Sequence, residues 1–163
     1  MALLFISERR LLIVDRNLEG VGVRALGQFA ARAQRAVGVR GDVDVLITSG
    51  TEMRRLNRRF LGKDKATDVL SFPSTDGTAG DIAIAAEVAA RNARRLGHSV
   101  ADEMRILILH GLLHLAGYDH ETDAGKMARE EARLRRALGL PTALIERAAA
   151  SGTRYGTGKR RRS

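Results

Sequence analysis

Apolar residues recur along this chain with two different spacings, and these separate the predicted strands from the predicted helices. Short apolar or alternating segments bounded by polar residues are typical of strands. Apolar residues about 3.6 positions apart are typical of amphipathic helices. The first pattern predicts strands at 42–48, 68–72 and 81–85, and at one or both of 3–6 and 11–14, which would form a small hairpin if both are strands. The second pattern predicts helices at 21–37, 52–60, 87–96, 101–116 and from Thr122 or Asp123 to Leu138.

Residues with special backbone preferences mark several of these boundaries. Gly38, Gly97 and Gly139 follow predicted helices, and glycine readily takes the left-handed conformation that ends a helix. Ser49 or Thr51 lies just before the helix at 52–60 and is predicted to accept a hydrogen bond from its first turn. The end signals and the apolar periodicity therefore agree on where these helices lie.

The helix at 101–116 has apolar residues all round it, which predicts a buried helix at the centre of the fold. A few strands among four or five helices predict the α+β class. We expect a small mixed sheet of about four strands packed with four to five helices around the central helix. A length of 163 residues suits a single domain, here 1–149, followed by a basic and disordered tail at 150–163.

Three of the four histidines lie within eleven positions, at His110, His114 and His120. On a helix, His110 and His114 share one face with their Cβ atoms about 6 Å apart. Gly117 can end that helix and turn the chain so that His120 returns toward the same point. Three histidine ligands leave the fourth tetrahedral position of zinc open, which is typical of a catalytic site. The pattern therefore predicts one zinc ion bound by these three residues in a metallohydrolase-like domain.

The spacing of the three histidines equals that of the metzincin protease motif, but one other residue of that motif is absent here. The glutamate that serves as general base in those proteases is replaced by Gly111. A metal site without the peptidase base predicts a hydrolase with a different substrate. The alternative is three core or capping histidines that bind no metal.

The charge of the chain favours a polyanionic partner, chiefly nucleic acid. Its net charge is +9 at pH 7, although more than half of that excess lies in the predicted tail at 150–163. The absence of cysteine excludes disulfides and thiolate metal sites and favours the cytoplasm. No apolar segment reaches the ~18 residues of a membrane span, and the N-terminal apolar segment lacks the basic region of a signal peptide.

Two motifs together resemble the YbeY family of bacterial ribosomal RNA maturation factors. They are HGLLHLAGYDH at 110–120 and TDVLSFP at 67–73, accompanied by Gly80-Asp-Ile82, Leu56-Asn57 and Lys63-Asp64. The resemblance covers about residues 10–140. It implies an α+β domain, zinc bound by the three histidines, and endoribonuclease activity on single-stranded RNA. It also implies a role in 16S rRNA 3′-end processing and ribosome quality control, with the small ribosomal subunit as partner.

The chain departs from the family pattern where members usually have Tyr-Arg, since it has Phe60 and Leu61 there. Leu61 has no charge to contact a phosphate, and Arg58 or Arg59 is the candidate replacement. A basic cluster of Arg58, Arg59, Lys63 and Lys65 is expected to meet phosphates; its alternative is a solvated helix face. A smaller departure is Ala66, where the family has proline before Thr67.

The residues predicted to carry catalysis are His114, Asp119 and Arg59. Metal-assisted hydrolysis and attack by the RNA 2′-hydroxyl are both compatible with the motif, and either needs a base that Gly111 cannot supply. Carboxylates that could orient a ligand imidazole are Asp119, Asp68 and Asp81; their alternatives are helix caps and turn residues. His98 is predicted to be a surface residue rather than a fourth ligand.

Two other functions remain compatible with the sequence. The metzincin-like spacing suggests a metalloprotease or another metal-dependent hydrolase, against which the missing glutamate argues. The basic charge suggests a non-catalytic ribosome-assembly factor whose zinc is structural. Cleavage of single-stranded RNA or casein by the purified protein distinguishes these possibilities.

Overall fold

The computed structural model describes residues 11–13, 20–64, 67–75 and 79–142. Four strands form one sheet in the order β1–β2–β4–β3, in which β1, β2 and β4 are parallel and β3 is antiparallel to β4. The strand bounds are β1 Leu11–Ile13, β2 Val43–Thr48, β3 Val69–Pro73 and β4 Gly80–Ala85. The sheet is therefore mixed, and β3 is one of its two edge strands.

Five helices cover the sheet within the described part of the chain. Their bounds are α1 Val23–Val37, α2 Gly50–Leu61, α3 Ala86–Leu96, α4 Val100–Leu115 and α5 Lys126–Ala137. Alternate residues of each strand face opposite sides, so Ile82 and Ile84 join α1 and α4 in the larger core. Leu70 and Ala83 point the other way and pack with Met53 of α2. The α+β prediction is confirmed.

Helix α4 is the most buried element, as the apolar pattern predicts. Nine of its sixteen residues are buried, and it packs on α1, α3, α5 and the two strands β3 and β4. The Ser99 side chain accepts a hydrogen bond from the backbone N–H of Asp102 and caps its N-terminus. The two histidines on α4 therefore belong to a helix that packing holds on most of its surface.

Most predicted boundaries lie within a few residues of the observed ones. Ser49 is the N-cap of α2, because its hydroxyl accepts a hydrogen bond from the N–H of Glu52. The predicted strand at 11–14 is observed as β1, whereas the segment 3–6 and the basic segment 150–163 lie outside the described residues.

The predicted start of the last helix at Thr122 or Asp123 is wrong. Helix α5 begins at Lys126, because Gly125 has φ 82°, a left-handed conformation that interrupts a right-handed helix. The Asp123 carboxylate accepts hydrogen bonds from the N–H groups of Gly125 and Met127. Asp123 thus stabilises the turn before the helix and the first turn of the helix itself.

Gly111 sets how closely α4 approaches the sheet. A Cβ atom added at this position would lie 2.9 Å from Cγ2 and 3.0 Å from Cδ1 of Ile82. Ile82 is fully buried, and its β-branched side chain has few rotamers to move into. Position 111 therefore faces the sheet and has no room for a side chain.

We expect Gly111→Ala to lower the free energy of unfolding by about 1 kcal/mol. Overpacking a core costs roughly 1–3 kcal/mol, and the better helix propensity of alanine returns only about 1 kcal/mol. Thermal or urea unfolding measures the difference.

Gly27→Ala in α1 is the matched control for this substitution, because an added Cβ atom there meets nothing within 4 Å. It should leave stability unchanged or raise it, since only the propensity gain applies. Equal stability changes for the two variants would contradict the packing argument at Gly111.

Candidate metal centre

The histidines of the 110–120 motif converge at the C-terminal end of α4. Ring centroids are 4.9 Å apart for His110 and His114, 5.5 Å for His114 and His120, and 6.0 Å for His110 and His120. His110 and His114 are neighbours because they lie one helical turn apart. His120 joins them because Gly117, with φ 95°, reverses the chain after the helix.

The three side chains fit a single metal ion. Each offers one nitrogen, and all three nitrogens lie within 4.8 Å of one another. Tetrahedral zinc places its ligand nitrogens roughly 3.4 Å apart, so small side-chain rotations bring these atoms to ligand spacing. An all-imidazole donor set suits zinc and also copper, iron and nickel.

His114 is neutral at physiological pH, as a metal ligand must be. Burial lowers the pKa of His114 to about 3, and the neighbouring His110 and His120 act in the same direction. The charge of Asp119 has a smaller, opposite effect on this pKa. The site therefore presents a lone pair on His114 at pH 7.

A buried carboxylate that the sequence analysis missed supports His110. The Glu131 carboxylate on α5 lies 2.8 Å from Nδ1 of His110 through Oε2. Its other oxygen, Oε1, accepts hydrogen bonds from Arg135 at 2.7 Å and 3.2 Å. Both residues are almost fully buried, so the helix α5 brings a complete ion pair against the histidine cluster.

The contact with ionised Glu131 orients the imidazole ring of His110. Burial raises the pKa of Glu131, but His110 and the Arg135 guanidinium outweigh burial and lower that pKa to about 2. The ionised carboxylate accepts a hydrogen bond from Nδ1–H of His110, so Nε2 is the ring nitrogen on the far side from Glu131. Carboxylate–histidine pairs of this kind orient metal-binding imidazoles and raise their basicity.

One sequence signal could have indicated Glu131. It lies four residues after Met127 and three before Leu134, which places it on the buried face of α5. A charged residue on an apolar helix face is almost always paired. However, Glu131 and Arg135 are also spaced as an ordinary surface ion pair, and this hides their buried role.

Of the three carboxylates considered from the sequence, Asp119 and Asp68 accept hydrogen bonds from groups outside the histidine cluster. Asp119 accepts hydrogen bonds from the N–H of Glu121 and the hydroxyl of Thr122, which are the contacts of a turn residue. Asp68 is buried and accepts hydrogen bonds from the N–H of Val69 and the side chain of Asn92. Asp81 is exposed on β4.

Arg59 lies on α2, on the sheet face opposite α4. Its guanidinium carbon is 5.3 Å from the centre of the Phe60 ring. Leu61, which stands at the family's arginine position, is partly buried against the smaller core around Met53. The structure does not bring Arg59 into the histidine cluster, since α2 and α4 pack on opposite faces of the sheet.

His98 is not the surface residue that was predicted. Its side chain is 12% exposed, and its Nε2 lies 2.6 Å from Oε2 of the buried Glu103. This pair lies at the N-terminal end of α4, away from the three clustered histidines. His98 is therefore occupied elsewhere and is not part of the candidate metal site.

Among the described residues, no helix has both the length and the apolar character to cross a membrane.

A family model and curated relatives of this chain name one family. A family model described as Endoribonuclease YbeY matches residues 9–139. A Koribacter versatilis protein named Endoribonuclease YbeY is 57% identical over 138 residues, covering 84% of this chain and 91% of its own. A Solibacter usitatus protein of the same name is 54% identical over 123 residues, covering 76% and 84%. A Thermotoga maritima protein with a solution structure matches with TM-score 0.58 and 26% identity, covering 94% of this chain and all of its own.

Proposed function

Because the chain belongs to the YbeY family of endoribonucleases, we propose that it is a zinc-dependent endoribonuclease specific for single-stranded RNA. We assign its activity to 16S rRNA 3′-end maturation and ribosome quality control, with the small ribosomal subunit as partner. The observation that carries the metal dependence is the convergence of His110, His114 and His120 on one point.

The residues around that point support a catalytic rather than a purely structural metal. Within the described residues, the group that can hold a metal contains three ligands, which leaves one tetrahedral position for water or substrate. A zinc ion held there would act as a Lewis acid toward a phosphoryl oxygen or a water molecule. Glu131 keeps Nε2 of His110 available, and Asp119 holds the turn that presents His120.

The protease alternative lacks its base in this structure. In the metzincin motif the residue after the first histidine acts as the base, but position 111 here faces Ile82 in the sheet. A glutamate at this position would point into the core rather than toward the histidines. The site therefore favours a substrate that does not need that carboxylate.

The charge of the chain supports an RNA substrate in the cytoplasm. The net charge of +9 favours a polyanion, and the lack of cysteine suits a reducing compartment.

We assign to Arg59 the phosphate contact that Leu61 cannot make, since the Arg59 guanidinium lies at the exposed end of α2. Arg59→Ala should reduce the salt dependence of RNA binding by about one phosphate contact. Arg95→Ala, at an exposed position of α3, is the control and should leave the salt dependence of RNA binding unchanged.

A chelator is expected to abolish cleavage of a single-stranded oligoribonucleotide, and added zinc should restore it. The physical reason is that a metal ion held by the three histidines would supply the positive charge that stabilises a phosphorane-like transition state. Gel assays of the purified protein with single-stranded RNA, the matching duplex and casein measure this result.

Each alternative function gives a different result in these assays. Cleavage that survives chelation would contradict the metal dependence, and cleavage of casein would indicate a protease. Binding to small ribosomal subunits without any RNA cleavage would indicate an assembly factor with a structural zinc.

A further inference from the structure

Phe60 is the large apolar side chain that the described part of the chain leaves exposed, with 56% of its surface accessible. It lies in the last turn of α2, whose buried residues Met53 and Asn57 face the sheet. An aromatic ring kept in water costs free energy that burial would recover. An exposed ring at a fixed position is therefore a candidate contact for a ligand with an apolar face.

Neighbouring side chains hold the Phe60 ring in place. The ring of Phe72, on edge strand β3, lies 5.3 Å away with an interplanar angle of 59°. The guanidinium carbon of Arg59 lies 5.3 Å from the Phe60 ring centre. Both distances are within the range of aromatic and cation–π contacts. The ring is thus positioned on one side by Phe72 and accompanied by a positive charge.

One strand connects this ring with the histidine cluster. On β3, the hydroxyl of Ser71 donates a hydrogen bond to the carbonyl oxygen of Gly111, at 3.1 Å, between the two histidines of α4. The next residue, Phe72, points to the opposite face and meets Phe60. A single-stranded chain leaving the histidines over the edge of β3 would therefore reach Phe60.

We propose that Phe60, with Arg59 and Phe72, forms a subsite that binds one unpaired nucleobase of the RNA substrate. The proposal rests on the proposed function, because it takes RNA as the ligand. Unpaired bases stack on exposed aromatic rings and arginine planes, and Arg59 can contact the phosphate of the same nucleotide. One ring is far too small for a protein interface, which needs about 1,000 Å².

This subsite explains how an RNA with unpaired bases is preferred. A base inside a duplex has both faces covered and cannot stack on Phe60, whereas a single-stranded base can. The Phe60 ring therefore distinguishes single-stranded from duplex RNA. Because every base can stack, it has little preference for sequence. The subsite therefore selects the state of the RNA rather than its sequence.

Tryptophan fluorescence tests the subsite directly, because the natural chain contains no tryptophan. Phe60→Trp places a single fluorophore at the proposed position. A single-stranded 2′-O-methyl oligonucleotide, which has no free 2′-hydroxyl, is titrated into this variant with chelator present. We expect the fluorescence to be quenched on binding, since a base stacks on the indole.

Ala36→Trp provides the matched control, since Ala36 is exposed on α1, which packs on the other face of the sheet from α2. Its fluorescence should change little when the same oligonucleotide binds. Absence of quenching at position 60, or equal quenching at both positions, would overturn the proposal.

Affinity measurements on the unlabelled protein separate stacking from simple apolar contact. Phe60→Ala should weaken binding of the single-stranded oligonucleotide roughly 5- to 150-fold. Phe60→Leu keeps an apolar contact with Phe72 but loses the aromatic face, so it should also weaken binding. Phe60→Tyr keeps the face and should bind as the natural chain does. Wild-type affinity in the alanine and leucine variants would contradict the proposal.

Failure of the subsite and failure of the proposed nuclease are distinguishable. The binding assays use chelated protein and no cleavage, so they do not depend on the metal. Quenching without cleavage by the zinc-loaded natural chain would retain the subsite and remove the nuclease. Cleavage by the zinc-loaded natural chain, together with wild-type affinity in Phe60→Ala and Phe60→Leu, would retain the nuclease and remove the subsite.

Discussion

His114→Ala is expected to abolish zinc binding and RNA cleavage while the protein remains folded. The His114 ring lies 4.9 Å from that of His110 and 5.5 Å from that of His120, and the three rings form a triangle. Its removal leaves two histidine ligands, too few for a stable tetrahedral zinc site. The fold should survive because α4 is anchored by its buried apolar residues rather than by the metal.

Elemental analysis, circular dichroism and a cleavage assay on the same preparation measure these three outcomes. His98→Ala is the control, since His98 pairs with Glu103 outside the cluster. It should keep one zinc per chain, although loss of the partner of a buried carboxylate lowers its stability. Stoichiometric zinc in His114→Ala would exclude His114 as a ligand, and unfolding would indicate a structural metal.

Glu131→Gln is expected to lower zinc affinity roughly 10- to 100-fold, the usual effect of losing a carboxylate behind a metal-binding histidine. Glutamine can still accept a hydrogen bond from Nδ1 of His110, but without the negative charge that raises the basicity of the ring. Cleavage should fall at limiting zinc and recover as zinc is added. A metal-buffered titration measures the shift.

Glu130→Gln is the matched control, one residue away on the same helix. Glu130 forms a solvent-exposed ion pair with Arg133, whereas the contact with His110 is made by Glu131. Its loss should change neither zinc affinity nor cleavage, because exposed pairs contribute little. Equal zinc affinity in the two variants would contradict the role given to Glu131.

A second substitution at Arg135 distinguishes the effect of Glu131→Gln on zinc affinity from its effect on stability. In Glu131→Gln the buried Arg135 loses its carboxylate partner, and a lone buried charge costs roughly 3–5 kcal/mol. Adding Arg135→Met removes that charge and should recover stability without restoring zinc affinity. Recovery of both in the double variant would mean that Glu131 acts through the fold alone.

The predictions for His114 and Glu131 concern two helices, α4 and α5, that build the metal site together. Helix α4 carries His110 and His114, and α5 supplies the carboxylate that fixes one of them. Gly111 lets α4 lie close to β4, so the histidines start from a helix with little freedom to move. A preorganised ligand set of this kind loses less conformational entropy when it binds a metal.

The sequence by itself determined the features that depend on local geometry. The i, i+4 spacing of His110 and His114 places them on one helix face, and Gly117 supplies the turn that returns His120. The α+β class and the family also followed from periodicity and motifs. The start of α5 was misjudged because a left-handed Gly125 interrupts a segment whose other residues suit a helix.

Only the tertiary structure decided the features that depend on which faces meet. Glu131 supports His110 across 21 positions of sequence, and its spacing to Arg135 is equally suited to a surface pair. Gly111 is favoured because Ile82 of another element fills the space beside it. Phe60 stays exposed because α2 buries Met53 and Asn57 instead. Periodicity fixes the relations within one helix, whereas packing between elements fixes the rest.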